Sequence, residues 1–168
     1  MFEQFIQIFT SVAFYAAIIR LTTPLLLAAM GGLVAERAGI ITFGMEGMML
    51  MGAIGGAVGS YYTGSVMGGL AFAMLAGMFI ALLYAVMCVS VGANQVVSAV
   101  ALNLGALGLS STIFALVFSN RAVGVVTEVV NVPSMQPVKI PLLGDIPVLG
   151  EILFNQLPLV YVAILMVP

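Results

Sequence analysis

The sequence predicts an all-α fold: a polytopic membrane helix bundle with about four complete transmembrane helices and the start of a fifth, the second helix being interrupted. Three observations predict it. Of 168 residues, 63% are hydrophobic and only 6% charged, whereas a soluble domain carries about a quarter charged residues to cover its surface. From Gly47 to Asn120 there is no charged residue at all; since about 20 apolar residues cross the hydrocarbon as a helix, this run holds three crossings. The apolar runs are continuous and rich in Ala, Leu, Met and Gly. They lack the strict alternation of a membrane barrel, so helices are the expected spanning elements.

The first span lies within about Phe5 to Val34, too long for a straight crossing, so its beginning is expected in the interface. Pro24 follows "LTT" inside it and removes one helical hydrogen bond, which predicts a kink. The opening "MFEQFIQIFT" has no positively charged start of a secretory signal, so the first apolar run is expected to stay in the mature chain. The second span runs from about Ile40 to Tyr61, the third from about Val66 to Val91, and the fourth from about Asn94 to Phe118. A fifth starts near Leu157. Leu157 to Pro168 is too short to cross, so residues 1–168 read as one transmembrane domain that is part of something longer.

Between Ser119 and Gln156 the character changes. Arg121, Glu128, Lys139, Asp145 and Glu151 lie here, with prolines at 133, 137, 141 and 147. "VGVVTEVVNV" suits a short strand and "PLLGDIPVLG" successive turns. Residues 119–156 are therefore expected to form a Pro-rich loop outside the hydrocarbon. In the second span, Gly52 with Gly56 and Gly55 with Gly59 repeat at helical spacing, followed by Gly64 with Gly68. Small residues so placed let helix backbones approach closely in lipid, here within the chain.

Several functions are excluded by what the sequence lacks. With no His, and Cys88 as the one cysteine, there is no ligand set for zinc, haem or an iron–sulfur cluster. Cys88 reads as a small packing residue. A net charge of −2 supplies no basic patch, so nucleic acid is not an expected partner. The lipid bilayer is.

The polar residues that remain are conspicuous. A charged side chain at mid-membrane costs at least about 2.5 kcal/mol. Adjacent Glu36 and Arg37 would point about 100° apart on a helix, so they suit an interface or a break, as structural charges ending one helix. Gly39, Gly44 and Gly47 weaken helix continuity just beyond them, and transporters use interrupted helices to present backbone groups to solute. Glu46 stands among Met45, Met48, Met49, Leu50 and Met51 and is expected to face the bundle interior. A second cluster places Asn94, Gln95 and Ser98 within one turn at the start of the fourth span. Asn103 lies deeper, with Ser110 and Ser111 continuing the stripe. Neutral amides can hydrogen-bond sugar hydroxyls or base edges without burying a charge; they can equally bind helices to each other.

"TPLLLAAMGGLVAERAGIITFGMEGMMLMGA" (Thr23 to Ala53) followed by "GANQVVSAVALNLGALGL" (Gly92 to Leu109) resembles the permease subunits of bacterial ABC importers for nucleosides, within the wider group of branched-chain amino acid and ribose permeases. The match covers two blocks and corresponds to the N-terminal half of such a permease. Two positions depart: Thr42 stands where the family usually has Asn, and Gln95 where it often has Glu. Both remain polar. The resemblance implies a multi-pass protein of the bacterial cytoplasmic membrane that carries a nucleoside, of purine type, or a simple sugar. It implies no cofactor on this chain, which also lacks a Gly-x-x-x-x-Gly-Lys-Ser/Thr loop for ATP phosphates; ATP would be used by a separate ABC ATPase subunit. A second permease subunit, identical or paralogous, and a substrate-binding lipoprotein or periplasmic protein would complete the system. The resemblance further implies a substrate path near Glu46, Asn103 and Thr42, with the loop 119–156 facing outward. Two other readings use the same residues: an ion-coupled secondary transporter working through Glu46, and a non-transporting membrane scaffold.

Overall fold

Apolar residues with no water to bond their backbone must satisfy it internally, and the chain does so with helices. The computed structural model describes residues 11–118, 133, 135, 138–139 and 155–166. In chain order these form α1 (Val12–Arg37), α2 (Met45–Thr63), α3 (Val66–Ala85), a π-helical turn (Val86–Ser90), α4 (Gln95–Phe118), β1 (Val138–Lys139), β2 (Asn155–Gln156) and α5 (Pro158–Met166). The protein is an all-α multi-pass membrane protein, its two short strands apart. The expected strand at 123–132 and the turns at 141–150 lie outside the described residues, as does most of the loop 119–156.

Among the described residues, three helices are long and apolar enough to cross a membrane: Phe14–Arg37, Val66–Ser90 and Gln95–Phe118. The expected second span differs. Helix α2 begins at Met45, five residues later than apolarity alone suggests, and its 19 residues include Glu46 and several glycines that dilute its hydropathy. The interruption expected within this span lies ahead of α2, between it and α1.

The chain divides into two compact units, Met1–Leu33 with Met135–Pro168, and Val34–Ser134. In the first, α1 runs through Pro24. Pro24 offers no N–H to the carbonyl one turn back, and the two preceding threonines add donors nearby: Thr22 Oγ1 donates to Ile18 O and Thr23 Oγ1 to Ile19 O, each at 2.8 Å. Strands β1 and β2 pair antiparallel, Val138 opposite Gln156 and Lys139 opposite Asn155. Gln156 is fully buried, and its Oε1 accepts a hydrogen bond from Arg20 Nε at 3.0 Å. Pro158 then opens α5, at the position where a missing N–H costs no helical bond.

In the second unit α2, α3 and α4 form a three-helix bundle. A Cβ on Gly52 would meet Ala73 O, one on Gly56 Ala73 Cβ, and one on Gly77 Met48 O; rising numbers on α2 meet falling numbers on α3, so these two are antiparallel. Gly47 lies beside Asn103 and Ala106 at one end, while the rings of Tyr61 and Phe118 meet at 5.5 Å at the other, so α2 and α4 run parallel. The seam between α2 and α3 is built on small residues. A Cβ on Gly59 would lie 2.5 Å from Phe72 Cβ, and one on Gly55 2.7 Å from Ala76 Cβ. The intramolecular packing role expected of these glycines is what they perform. The bundle's buried positions are also mostly small, including Ser60, Ser98, Ala99 and Ala106, while Met67, Met74, Leu104 and Leu116 point outward. That inversion of a soluble core suits a helix bundle in lipid, where packing rather than water exclusion drives association.

Candidate functional site

The joint between α1 and α2 carries the site. Helix α1 stops at Gly39, whose φ of +85° places it in the left-handed region that a side chain would disfavour. Gly39 N donates to Glu36 O at 2.9 Å and Ile40 N to Ala35 O at 3.1 Å, the paired bonds of a Schellman ending. Glu36 and Arg37 are exposed in this last turn, where Arg37 suits the negative end of the helix dipole.

Beyond Ile40 the backbone has no helical ladder, and side chains from α3 and α4 take its place. Ile41 N donates to Gln95 Oε1 at 2.9 Å, and Gln95 Nε2 reaches Gly39 O at 3.4 Å. Tyr84 Oη donates to Ile41 O at 2.7 Å. Asn103 Nδ2 donates to Phe43 O at 3.2 Å, while its Oδ1 accepts from Gly47 N at 2.9 Å. Helix α2 starts on Gly44, which has no side chain to cap the free N–H groups of the first turn. Asn103 supplies from α4 the acceptor that a Ser or Asp at the N-cap would ordinarily give. Gly47 must be glycine for this: a Cβ there would lie 2.8 Å from Asn103 Oδ1.

This geometry sets the depth of the joint. Gln95 and Asn103 are eight residues apart on α4, about 12 Å at 1.5 Å per residue. The joint touches the side chains at both positions, so it is held at two levels of α4 before α2 begins. A short, broken element beside a continuous helix is the arrangement by which membrane transporters expose backbone groups to a cavity.

The predicted residues thus fall into distinct roles. Thr42 lies within the joint, its hydroxyl 3.5 Å from Ile40 O. Gln95 meets the joint through both ends of its amide, and Asn103 ties the joint at Phe43 to the first turn of α2 at Gly47. Asn94 is the N-cap of α4, its Oδ1 accepting from Val96 N at 3.0 Å and Val97 N at 3.3 Å. Ser98 is buried at 3% exposure on the first turns of α4. Ser111, on the expected polar stripe, bonds its own helix at Leu107 O. Glu46 differs most from expectation. It is exposed in the first turn of α2 and makes no hydrogen bond or ion pair among the described residues. Its carboxylate there complements the positive end of the helix dipole. The residue that sequence reasoning missed is Tyr84; its one signal is a phenolic hydroxyl near the end of an otherwise strongly apolar third span.

Comparison with known proteins agrees with this picture. The family described as the permease component of the branched-chain amino acid transport system matches residues 14–166. The chain is 37% identical over 139 residues to the guanosine ABC transporter permease protein NupQ of Bacillus subtilis, covering 79% of this chain and 42% of that one. It is 37% identical over 156 residues to TsgC13 of Haloferax volcanii, provisionally named a glucose ABC transporter permease protein, covering 90% and 44%. It is 30% identical over 141 residues to the nucleoside ABC transporter permease protein NupC of Lactococcus lactis subsp. cremoris, covering 80% and 43%. The chain therefore spans less than half the length of these curated relatives. No solved structure matches it. With a polar joint set among membrane-spanning helices and a match over nearly its whole length, the chain belongs to the family of branched-chain amino acid transport system permease components.

Proposed function

We propose that the chain is part of the membrane-spanning subunit of an ATP-driven importer and lines the translocation path for a nucleoside, of purine type, or a simple sugar. The observation that carries this reading is the family membership over residues 14–166. The nucleoside assignment draws on the relatives named for guanosine and for nucleosides, the sugar alternative on the one named for glucose. ATP would be hydrolysed on a separate ABC ATPase subunit. A second permease subunit, identical or paralogous, would complete the path, and a binding lipoprotein or periplasmic protein would deliver the solute at the cytoplasmic membrane.

Within the path, Thr42, Glu46, Asn94, Gln95, Ser98 and Asn103 remain the residues of interest, with different tasks. Glu46 is the group best suited to touch the solute, because its carboxylate is exposed and unpaired among the described residues. It can accept hydrogen bonds from ribose hydroxyls or base N–H groups. Gln95 and Asn103 act through the joint they hold, Asn94 through the start of α4.

The test is uptake of labelled guanosine or glucose by proteoliposomes holding the full-length permease with its partner subunits. Uptake is expected to require trapped ATP and to fall at least tenfold in Glu46→Gln. Accumulation driven by an ion gradient without ATP would replace the importer by an ion-coupled carrier. Normal uptake in Glu46→Gln would remove that carboxylate from the path.

A further inference from the structure

We propose that Tyr84 is a positioning residue for transport: its hydroxyl locks the joint Ala38–Gly44 against the start of α4 and thereby sets where Thr42 and Glu46 stand. This deepens the importer reading and rests on it. Tyr84 is 2% exposed, so its hydroxyl needs a protein partner, and the partner it has is unusual. The oxygen lies 2.7 Å from Ile41 O and 3.2 Å from Gln95 O. A phenol has one proton to give; the shorter bond takes it, with the first carbonyl of α4 close beside it. These two carbonyls belong to different segments, and any movement of the joint along α4 must separate them.

The lock extends to the neighbouring residues. Ile41 O is held from α3 by Tyr84, and Ile41 N is held from α4 by Gln95 at 2.9 Å. Both polar groups of one joint residue are thus pinned from two helices. The Tyr84 ring also lies against the far end of the joint, 3.6 Å from the position a Cβ on Gly44 would take. Thr42 therefore sits between a residue fixed at 41 and a residue fixed at 43 by Asn103. Glu46 precedes Gly47, which is fixed by the same amide. A tyrosine that only filled space would leave these positions unchanged when its oxygen is removed.

The experiment uses the full-length permease in native membranes with its partners, in a Cys88→Ser background, which keeps a hydrogen-bonding group one turn beyond Tyr84, carrying Thr42→Cys as a probe. Tyr84→Phe keeps the ring and deletes the oxygen. It is expected to raise the rate of Thr42→Cys labelling by a membrane-impermeant maleimide at least fivefold, at unchanged yield of folded protein. In the permease retaining Thr42, the same change should raise the KM for solute at least fivefold while the maximal rate per folded molecule stays within twofold. Gln95→Leu, which frees Ile41 N instead, should increase the labelling in the same way and serves if Tyr84→Phe does not accumulate. Labelling within twofold of the parent in the folded variants would overturn the lock. Labelling needs no turnover, so if no ATP-driven uptake is found the importer reading falls while the lock is still decided.

Discussion

The seam between α2 and α3 and the joint between α1 and α2 solve opposite problems a few residues apart. In the seam both partners are regular helices whose backbone bonds are complete, so contact needs only the absence of side chains. Gly55 and Gly59 face Ala76 and Phe72 at distances where even a methyl would intrude, and among the described residues no side-chain hydrogen bond crosses. In the joint the backbone is irregular, and three side chains from two helices are committed to satisfying it. Regular structure in lipid asks its neighbours for room; irregular structure asks them for donors and acceptors.

That contrast can be broken or sharpened by substitution, with stability of the full-length chain in detergent followed by thermal denaturation. Asn103→Leu should cost most, because it leaves Gly47 N and Phe43 O unpaired at about 1–3 kcal/mol each. Asn103→Asp keeps the acceptor for Gly47 N and should recover part of the loss. Gly59→Ala comes next: overpacking a tight seam costs about 1–3 kcal/mol, and the smaller the cost, the more α2 and α3 can slide apart. Tyr84→Phe should cost about 1 kcal/mol, the typical net worth of one hydrogen bond, with the larger effect falling on labelling and KM as described above. Ser111→Ala, whose hydroxyl among the described residues bonds its own helix alone, should stay within about 0.5 kcal/mol. If Gly59→Ala proved more damaging than Asn103→Leu, packing and not backbone satisfaction would dominate this bundle.

The helices were legible where the code is local. The charge-free run from Gly47 to Asn120 announces membrane helices, and Asn94 ahead of α4 is an N-cap by residue type and position. The weakening of helix continuity around Gly39, Gly44 and Gly47 is equally visible. The start of α2 was not, because "IITFG" is as apolar as the helices around it and hydropathy does not register a missing ladder. What makes that segment non-helical lies elsewhere in the chain: Ile41 meets Gln95 across 54 positions and Phe43 meets Asn103 across 60. The amides of Gln95 and Asn103 stand out in the sequence, yet nothing near them names their partners. Tyr84 is harder still, since an aromatic residue near the end of a span reads as an interfacial or packing group. Glu46 looked interior because its neighbours are methionines, yet Gly44 and Gly47 take the buried face of that first turn and Glu46 the exposed one.

The non-helical joint also acts as a ruler. A residue added to a helix advances it by about 1.5 Å and turns it, whereas a residue outside a helix can advance the chain by up to about 3.3 Å. Shortening the segment between Ile40 and Phe43 by one residue would draw Met45 and everything after it toward Gln95 and take Gly47 out of register with Asn103. In this stretch, then, the number of residues is a stricter requirement than their identity, while insertions between the ends of other helices need only lengthen a turn.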